Sequence, residues 1–195
     1  MNTEQMLHMR EMRLAPYIQL ATLLIGKSRF GGGNMFRHQL DTMAILLDYG
    51  YIDSVLLKAA IVHDLIEDIP QFDHNILLSI DDDSQAVYEL VLEVSRRNDE
   101  NKPDFLTRIR ETGSHNAKIL KVADRISNMI SLGFVNNLDF VERYIKETEQ
   151  YILPIATEVN HYMVIELEDL IKSRQMYLKG YRSYIAISEN KNEAG

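Results

Sequence analysis

The sequence predicts an all-α protein folded as a single compact multi-helix domain. Apolar residues recur at three- and four-residue spacings along nearly the whole chain. Strand-like alternation is almost absent, and only four prolines interrupt 195 residues. A chain of this length suits one domain and can bury roughly 70% of its unfolded surface. The domain is expected over residues 1–188, and the polar stretch 189–195 is read as a disordered tail.

The periodicity predicts helices over 4–26, 36–49, 53–67, 83–97, 103–112, 114–133, 138–156 and 157–187. Asp53 or Ser54 can cap the third, and Pro70 marks its end. Pro103 fits a first helical turn, where no amide hydrogen is needed. Ser114 can cap the next helix, and Pro154 should kink or divide the helical region around it. Two loops stand out. "SRFGGGNMF" holds Gly31, Gly32 and Gly33 in a row, and "SIDDDSQ" reads as a solvated acidic cap rather than a metal site.

Composition narrows the chemistry. Without cysteine there are no disulfides and no thiolate ligands, so any metal must be held by His, Asp, Glu or Asn. The formal charge of −8 argues against nucleic-acid or anionic-membrane partners. It leaves room for an anionic small substrate in a locally basic pocket. "MNTEQMLHMREMR" is no signal peptide, and "LATLLIG" is too short to span a bilayer. A soluble, cytoplasmic protein is expected, and a homo-oligomer is compatible with the sequence.

"AAIVHDLIED", residues 59–68, sets an imidazole and three carboxylates into an otherwise apolar helical run. Burying an unpaired carboxylate costs several kcal/mol, so positive charge should wait there. His63 and Glu67, and likewise Asp64 and Asp68, are four residues apart and share a face. "KILKVADRISNMISL" carries Asp124 and Asn128 on one face, with Lys121 and Ser131 a turn to either side. Asp124 can be a ligand, or the partner of Lys121 or Arg125. His38 opens a third helix behind the glycines, with Lys27, Arg29 and Arg37 around that loop. His38, His63, Asp64 and Asp124 together offer two nitrogens and two carboxylates, a set suited to Mn²⁺, Fe²⁺ or Zn²⁺ rather than Ca²⁺. The cation is then a metal, with Glu67 and Asp68 left as an acid–base pair. His8, His74, His115 and His161 lack acidic partners at ligand spacing and are assigned to the surface or to caps. Tyr151, Ile155, Met163 and Leu167 form a core or dimer stripe.

This H…HD…D pattern resembles the HD phosphohydrolase superfamily. More narrowly, it is similar to the alarmone hydrolase domains of RelA/SpoT homologues. Arg29 lies nine residues before His38, "AAIVHDLIED" is similar to that family's HD-x-x-ED helix, and "LKVADRISNM" to its K-x-ADR-x-x-N-M helix. "RYIKETEQYILPIA" resembles its R-x-x-x-ET…Y-x-P-L-A segment, so the likeness covers residues 20–156. The resemblance implies an HD-domain fold, one Mn²⁺ on His38, His63, Asp64 and Asp124, and hydrolysis of the 3′-pyrophosphate of (p)ppGpp. It implies that Glu67 and Asp68 position or deprotonate water, that Arg29 stacks on the base, and that Asn128 and Ser131 line the ribose and 3′-phosphate side. Lys121, Arg143 and Lys146 are further candidates for substrate phosphates. Phe30 and "GGGNM" stand where the family has a basic residue and a Ser-Gly-x-Pro-Tyr run, and Gln39 where it has proline. The metal set is untouched; the nucleobase pocket is altered. A small, stand-alone alarmone hydrolase is expected. The competing readings are an HD nucleotidase acting on another nucleotide or deoxynucleotide, and a non-catalytic nucleotide-binding or antitoxin-like module. The position of Arg29 and the Asp124–Asn128 helix favour the alarmone type. Glu67 and Asp68 argue against pure binding, which needs no water-activating acid.

Overall fold

The chain is described by a computed structural model over residues 3–193, with side chains described to Tyr184. Every regular element among the described residues is helical, apart from an isolated bridge between Ser28 and Asn34. The first predicted helix is broken. α1 (Thr3–Glu11) stops, and α2 (Ala15–Ala21) restarts with Pro16 in its first turn. Proline's fixed φ and missing amide hydrogen suit a helix start and not a helix interior. A 3₁₀ turn over Thr22–Leu24 then leads into the glycine loop.

α3 (Met35–Asp48) is capped by Asn34, whose side chain accepts from the Arg37 amide. α4 (Ser54–Val62) is capped by Asp53 in the same manner, as the sequence predicts. Leu56 through Val62 are all buried, so α4 has no exposed face along this run. It does not continue to residue 67. The chain leaves the helix at His63 and Asp64 and resumes as the single turn α5 (Leu65–Asp68). α6 (His74–Leu78), capped by Asp73, lies in a stretch with no predicted helix.

α7 (Ser84–Val94) and α8 (Lys102–Thr112) follow, the latter with Pro103 in its first turn. α9 (His115–Ser131) is capped by Ser114, as predicted, and buries Ile119, Leu120, Val122, Ala123, Ile126 and Met129. α10 (Leu138–Glu147) runs into a π-helical segment, Thr148–Ile152, and then α11 (Leu153–Val159) with Pro154 in its first turn. The wider π turn shifts the hydrogen-bond register where proline removes a donor. The helix break expected after 156 falls instead at Asn160, where the backbone is extended. α12 (His161–Glu193) carries its helical backbone into the stretch from 189 read as a tail, and residues 194 and 195 lie outside the described residues. No described helix is long and apolar enough to cross a membrane.

α3, α4 and α9 pack together at the centre, with α7, α11 and α12 against them around one buried cluster. Ile155, Met163 and Leu167 belong to that core. His8, His115 and His161 are exposed, and His74 lies 2.8 Å from the Tyr88 hydroxyl. The acidic loop has a structural task that the sequence reading missed. Lys58 on α4 is 3% exposed, and its ammonium donates to Asp81 at 2.8 Å and Asp83 at 2.6 Å.

Burial alone would lower the Lys58 pKa, but the two carboxylates outweigh it and raise it. Burial would likewise raise Asp81, and Lys58 reverses this and holds it low; Asp83 is lowered chiefly by its bond from Lys58. Carboxyls with folded pKa values below their unfolded ones stabilise the fold above pH ~4. They lose that contribution as pH falls through the folded values. Lys58→Met is therefore expected to lower unfolding free energy by about 3 kcal/mol at neutral pH, the usual scale for unpairing a buried charge. It should also flatten the acid limb of the stability profile below pH ~4. Denaturant titration at several pH values checks both, and a change under 1 kcal/mol would show that the pair contributes little.

Candidate metal centre and active-site cleft

His63 is placed by the end of α4. Its Nδ1 lies 2.9 Å from the Ala60 carbonyl oxygen. A carbonyl only accepts, so Nδ1 carries the proton in that bond. Nε2 is then turned into the interior, where it is buried and has no hydrogen-bond partner. It lies 3.3 Å from Asp64 Oδ2 and 3.8 Å from Asp124 Oδ1, yet is bonded to neither. Asp64 has left the helix and accepts from the Gln39 side-chain amide at 2.8 Å. Gln39 is fully buried, so it orients this carboxylate from within the core.

His38 arrives from the glycine loop. Gly32 and Gly33 have φ of +89° and +76°, a region that glycine enters without steric cost. A Cβ on Gly31 would come within 3.1 Å of Ser131 Cβ. The loop is thus a tight, packed turn: Arg29 N donates to Gly33 O, and Met35 N to Lys27 O. His38, one turn into α3, places Nδ1 2.9 Å from Ser127 Oγ and Nε2 3.1 Å from Asp124 Oδ1. The two imidazoles meet edge to face, with centroids 5.2 Å apart.

Asp124 is 6% exposed. Its Oδ2 pairs with Lys121 Nζ at 2.8 Å, and its Oδ1 accepts from Asn128 Nδ2 at 2.5 Å. The Lys121–Asp124 pair weighed against a ligand role is therefore present, while Oδ1 faces both imidazoles. Burial alone would raise the Asp124 carboxyl; Lys121, His38 and His63 overcome it and hold it well below the usual carboxylate range. For His63 burial works downward, and the charges of Asp64 and Asp124 push its pKa up to about 9. Asn128 also receives Arg29 Nη2 at 2.6 Å, and Arg29 Nη1 reaches Ser131 Oγ at 3.2 Å. Both bonds engage the edge of the guanidinium and leave its faces free.

These residues fit a divalent ion. Two donors bound about 2.1 Å from one ion at right angles lie about 3 Å apart. The His38–Asp124 separation is 3.1 Å and the His63–Asp64 separation 3.3 Å. Ligand atoms of His38, His63 and Asp124 all lie within 4.8 Å of one another, with Asp64 Oδ2 beside both imidazoles. The unpartnered Nε2 of His63 is the observation that carries the fit: a buried polar nitrogen without a partner is costly.

The cluster lies beside a cleft of about 390 Å³, into which Lys27, Arg29, Lys102, Lys121 and Arg125 bring positive charge. Phe30, Phe140 and Tyr144 supply an aromatic wall, with the two phenylalanine centroids 4.7 Å apart. Arg125 is buried over the Tyr144 ring at 4.1 Å and donates to Glu147 and Thr148 at 2.5 and 3.2 Å. Lys102 Nζ lies 2.9 Å from the same Glu147 and is lowered, mainly by burial. Sequence reasoning missed Gln39, Lys102 and Arg125 as site residues. The buried amide beside His38 and the "ADR" arginine were visible signals for two of them, and none marked Lys102.

The expected acid–base pair is divided. Asp68 faces the cleft, paired with Lys27 at 2.6 Å. Glu67 turns to a neighbouring concavity, and its Oε1 accepts from the Arg96 amide at 2.5 Å. Adjacent residues on a helical turn diverge by about 100°. Arg143 and Lys146 are corrected as well, since neither lines the cleft. α10 turns Val141, Tyr144 and Ile145 inward, which leaves Arg143 exposed and Lys146 paired with Glu142 at the surface.

The purified protein is expected to bind about one divalent transition ion per chain. Asp64→Ala should abolish binding, and Gln39→Ala should weaken it by about 10–100-fold, the usual effect of removing a ligand's supporting partner. Titration calorimetry with Mn²⁺ reads both, and wild-type affinity in Asp64→Ala would overturn the ligand assignment.

No protein-family model matches the chain. A curated relative is the probable guanosine-3′,5′-bis(diphosphate) 3′-pyrophosphohydrolase of Mycoplasma genitalium. It is 29% identical over 171 residues, a match that takes in 80% of this chain and 23% of the relative. The chain thus spans under a quarter of that relative's length. Among solved structures, one described as a metazoan ortholog of SpoT that hydrolyses ppGpp and plays a role in starvation responses is similar at a TM-score of 0.68. Its sequence identity is 19%, over 83% of this chain and 94% of that one. The fold that gathers His38, His63, Asp64 and Asp124 is thus similar to that of a ppGpp-hydrolysing SpoT ortholog.

Proposed function

We propose that the chain hydrolyses the 3′-pyrophosphate of a (p)ppGpp-type alarmone with a divalent ion, Mn²⁺ by its donor chemistry, leaving GDP or GTP and pyrophosphate. The observation that carries this reading is the unpartnered His63 Nε2 within the His38, His63 and Asp124 cluster, with Asp64 beside both imidazoles and a cationic cleft alongside. A nucleotide bearing two diphosphates has the charge such a wall would complement. The named activity of the curated relative supports the same substrate class.

His38, His63, Asp64 and Asp124 would hold the ion, which when bound lowers the pKa of a water and polarises a phosphoryl oxygen. The chain's own groups do the rest. Arg29, fixed along its edge by Asn128 and Ser131, offers a flat cationic face to a base. Lys102, Lys121 and Lys27 set positive charge along the phosphate path. Asp68, ion-paired with Lys27, would orient the water. Glu67 takes the water's proton. Burial raises its pKa above the ordinary carboxylate value, outweighing the lowering by the Arg96 amide, and its second oxygen is free. Water adds to the phosphorus bonded to ribose O3′, that bond breaks, and O3′ receives a proton.

Base selection follows from the loop. Asn34 Oδ1 caps α3, so this acceptor is not free for a base edge. Phe30 and Phe140 add π-faces, which accept any base. ppGpp and ppApp are therefore expected to differ in kcat/KM by no more than about tenfold, or about 1.4 kcal/mol. Arg29→Ala should raise KM for ppGpp more than it lowers kcat. A hundredfold guanine preference would require base-edge contacts from elsewhere.

Glu67→Gln keeps size and hydrogen-bonding capacity but cannot take a proton. It should retain metal while kcat falls by about 10²–10⁴-fold. The deciding assay offers ppGpp, pppGpp, ppApp and nucleoside monophosphates with Mn²⁺ and resolves the products. Turnover of a monophosphate without alarmone hydrolysis would replace the alarmone reading with an HD nucleotidase.

A further inference from the structure

Glu67 lines a concavity of about 530 Å³ that shares no lining residue with the cationic cleft. Its neighbour Asp68 and, one turn earlier, Asp64 both line that cleft, and Asp68 N donates to Asp64 O at 2.9 Å, so this space opens beside the candidate metal centre with Glu67 at the boundary. Arg96 and Arg97 stand in its wall, both exposed. The backbone of Arg96 binds Glu67 and that of Arg97 binds Glu100, but neither guanidinium donates a hydrogen bond or closes an ion pair among the described residues. The other acid in the wall, Glu100, is already matched: its two oxygens take Arg108 Nε at 2.8 Å and Nη2 at 3.0 Å. Two positive charges therefore face this space against Glu67 alone, in a chain with formal charge −8.

The loop that presents them is built. Arg108 also donates to the carbonyls of Glu93 and Ser95, at 2.9 and 3.0 Å, and Glu100 N donates to Arg97 O. One half-buried guanidinium thus staples both ends of the segment. Paired guanidiniums with free forks are suited to a phosphate.

Resting on the hydrolase reading above, we propose that Arg96 and Arg97 bind the terminal phosphate of the 3′-pyrophosphate group. Water adds to the inner phosphorus from the Glu67 side, in line with the P–O3′ bond. That bond's electrons leave on O3′, which is protonated, and the ribose remains on the Asn128 side. The terminal phosphate hangs from the inner phosphorus through a third oxygen, lateral to this line. It neither attacks nor leaves, and it extends past Glu67 to the two arginines. It departs within the pyrophosphate product, so the same site retains that product. The arginines would then favour a 3′-pyrophosphate over a 3′-monophosphate.

The test compares ppGpp with guanosine 5′-diphosphate 3′-monophosphate in wild type and in the R96A/R97A double variant. Both side chains are exposed, and the backbone amide that holds Glu67 is kept, so the variant should fold; its circular dichroism and Mn²⁺ affinity confirm this. The ratio of kcat/KM for the pyrophosphate over the monophosphate substrate is expected to fall by about tenfold or more in the variant. The inhibition constant for inorganic pyrophosphate should rise by a similar factor, and R96K/R97K should restore part of each. An unchanged ratio, or equal losses on both substrates, overturns the assignment while leaving the hydrolase reading in place. A wild type inert toward both substrates overturns the hydrolase reading and the assignment with it.

Discussion

Asp124 is buried with its charge, and that charge sets the terms for what packs around it. One oxygen is met by Lys121 on the same helix; the other is turned to His38, His63 and Asn128. A carboxylate this deep is tolerated only where cations or donors surround it. The central helices α3, α4 and α9 converge where this demand is satisfied. The buried apolar faces of α4 and α9 bring them together, and the polar cluster settles their register, since a shift would strand Asp124 among aliphatic side chains.

The cluster in turn depends on where helices stop. His63 points its free nitrogen inward because its other nitrogen is spent on the Ala60 carbonyl, one of those left open at the end of α4. Asp64, at the turn that follows α4, brings Oδ2 to 3.3 Å from His63 Nε2. Two neighbours in sequence thus meet as candidate ligands. Gln39 then locks the second of them from the core side.

Away from the cluster, the cleft divides into a cationic wall and an aromatic one. Arg125 belongs to both, lying on Tyr144 while its fork holds Glu147 and Thr148. The π turn after Glu147 lies beside this contact and is accommodated with Pro154. Two packed loops, the glycine turn before α3 and the segment stapled by Arg108, place Arg29 in the wall of the cleft and the Arg96–Arg97 pair in the wall of the neighbouring concavity with Glu67. Neither loop is held by regular secondary structure, and both are fixed by hydrogen bonds to backbone carbonyls.

The helical class, the caps at Asp53 and Ser114, Pro103 at a helix start and the four candidate ligands that the fold brings near one another were legible in the sequence. Each is local: a 3.6-residue repeat, a cap three residues from its amide, or a rare polar residue on an apolar face. The likeness to a known family supported grouping candidates that lie far apart in the sequence. What only the tertiary structure decided are the relations between elements. Glu67 and Asp68 are neighbours in sequence yet serve different spaces, because a single helical turn separates their directions. Arg143 and Lys146 stay outside because α10 spends its inner face on Val141, Tyr144 and Ile145. Lys102 enters because α8 begins beside Glu147. Gln39, where a proline was the expected residue, gained its meaning only when Asp64 came within 2.8 Å. Sequence determines which side chains each segment can offer and on which face. The packing of buried apolar surface determines which faces meet, and the need to neutralise buried charge selects among those meetings.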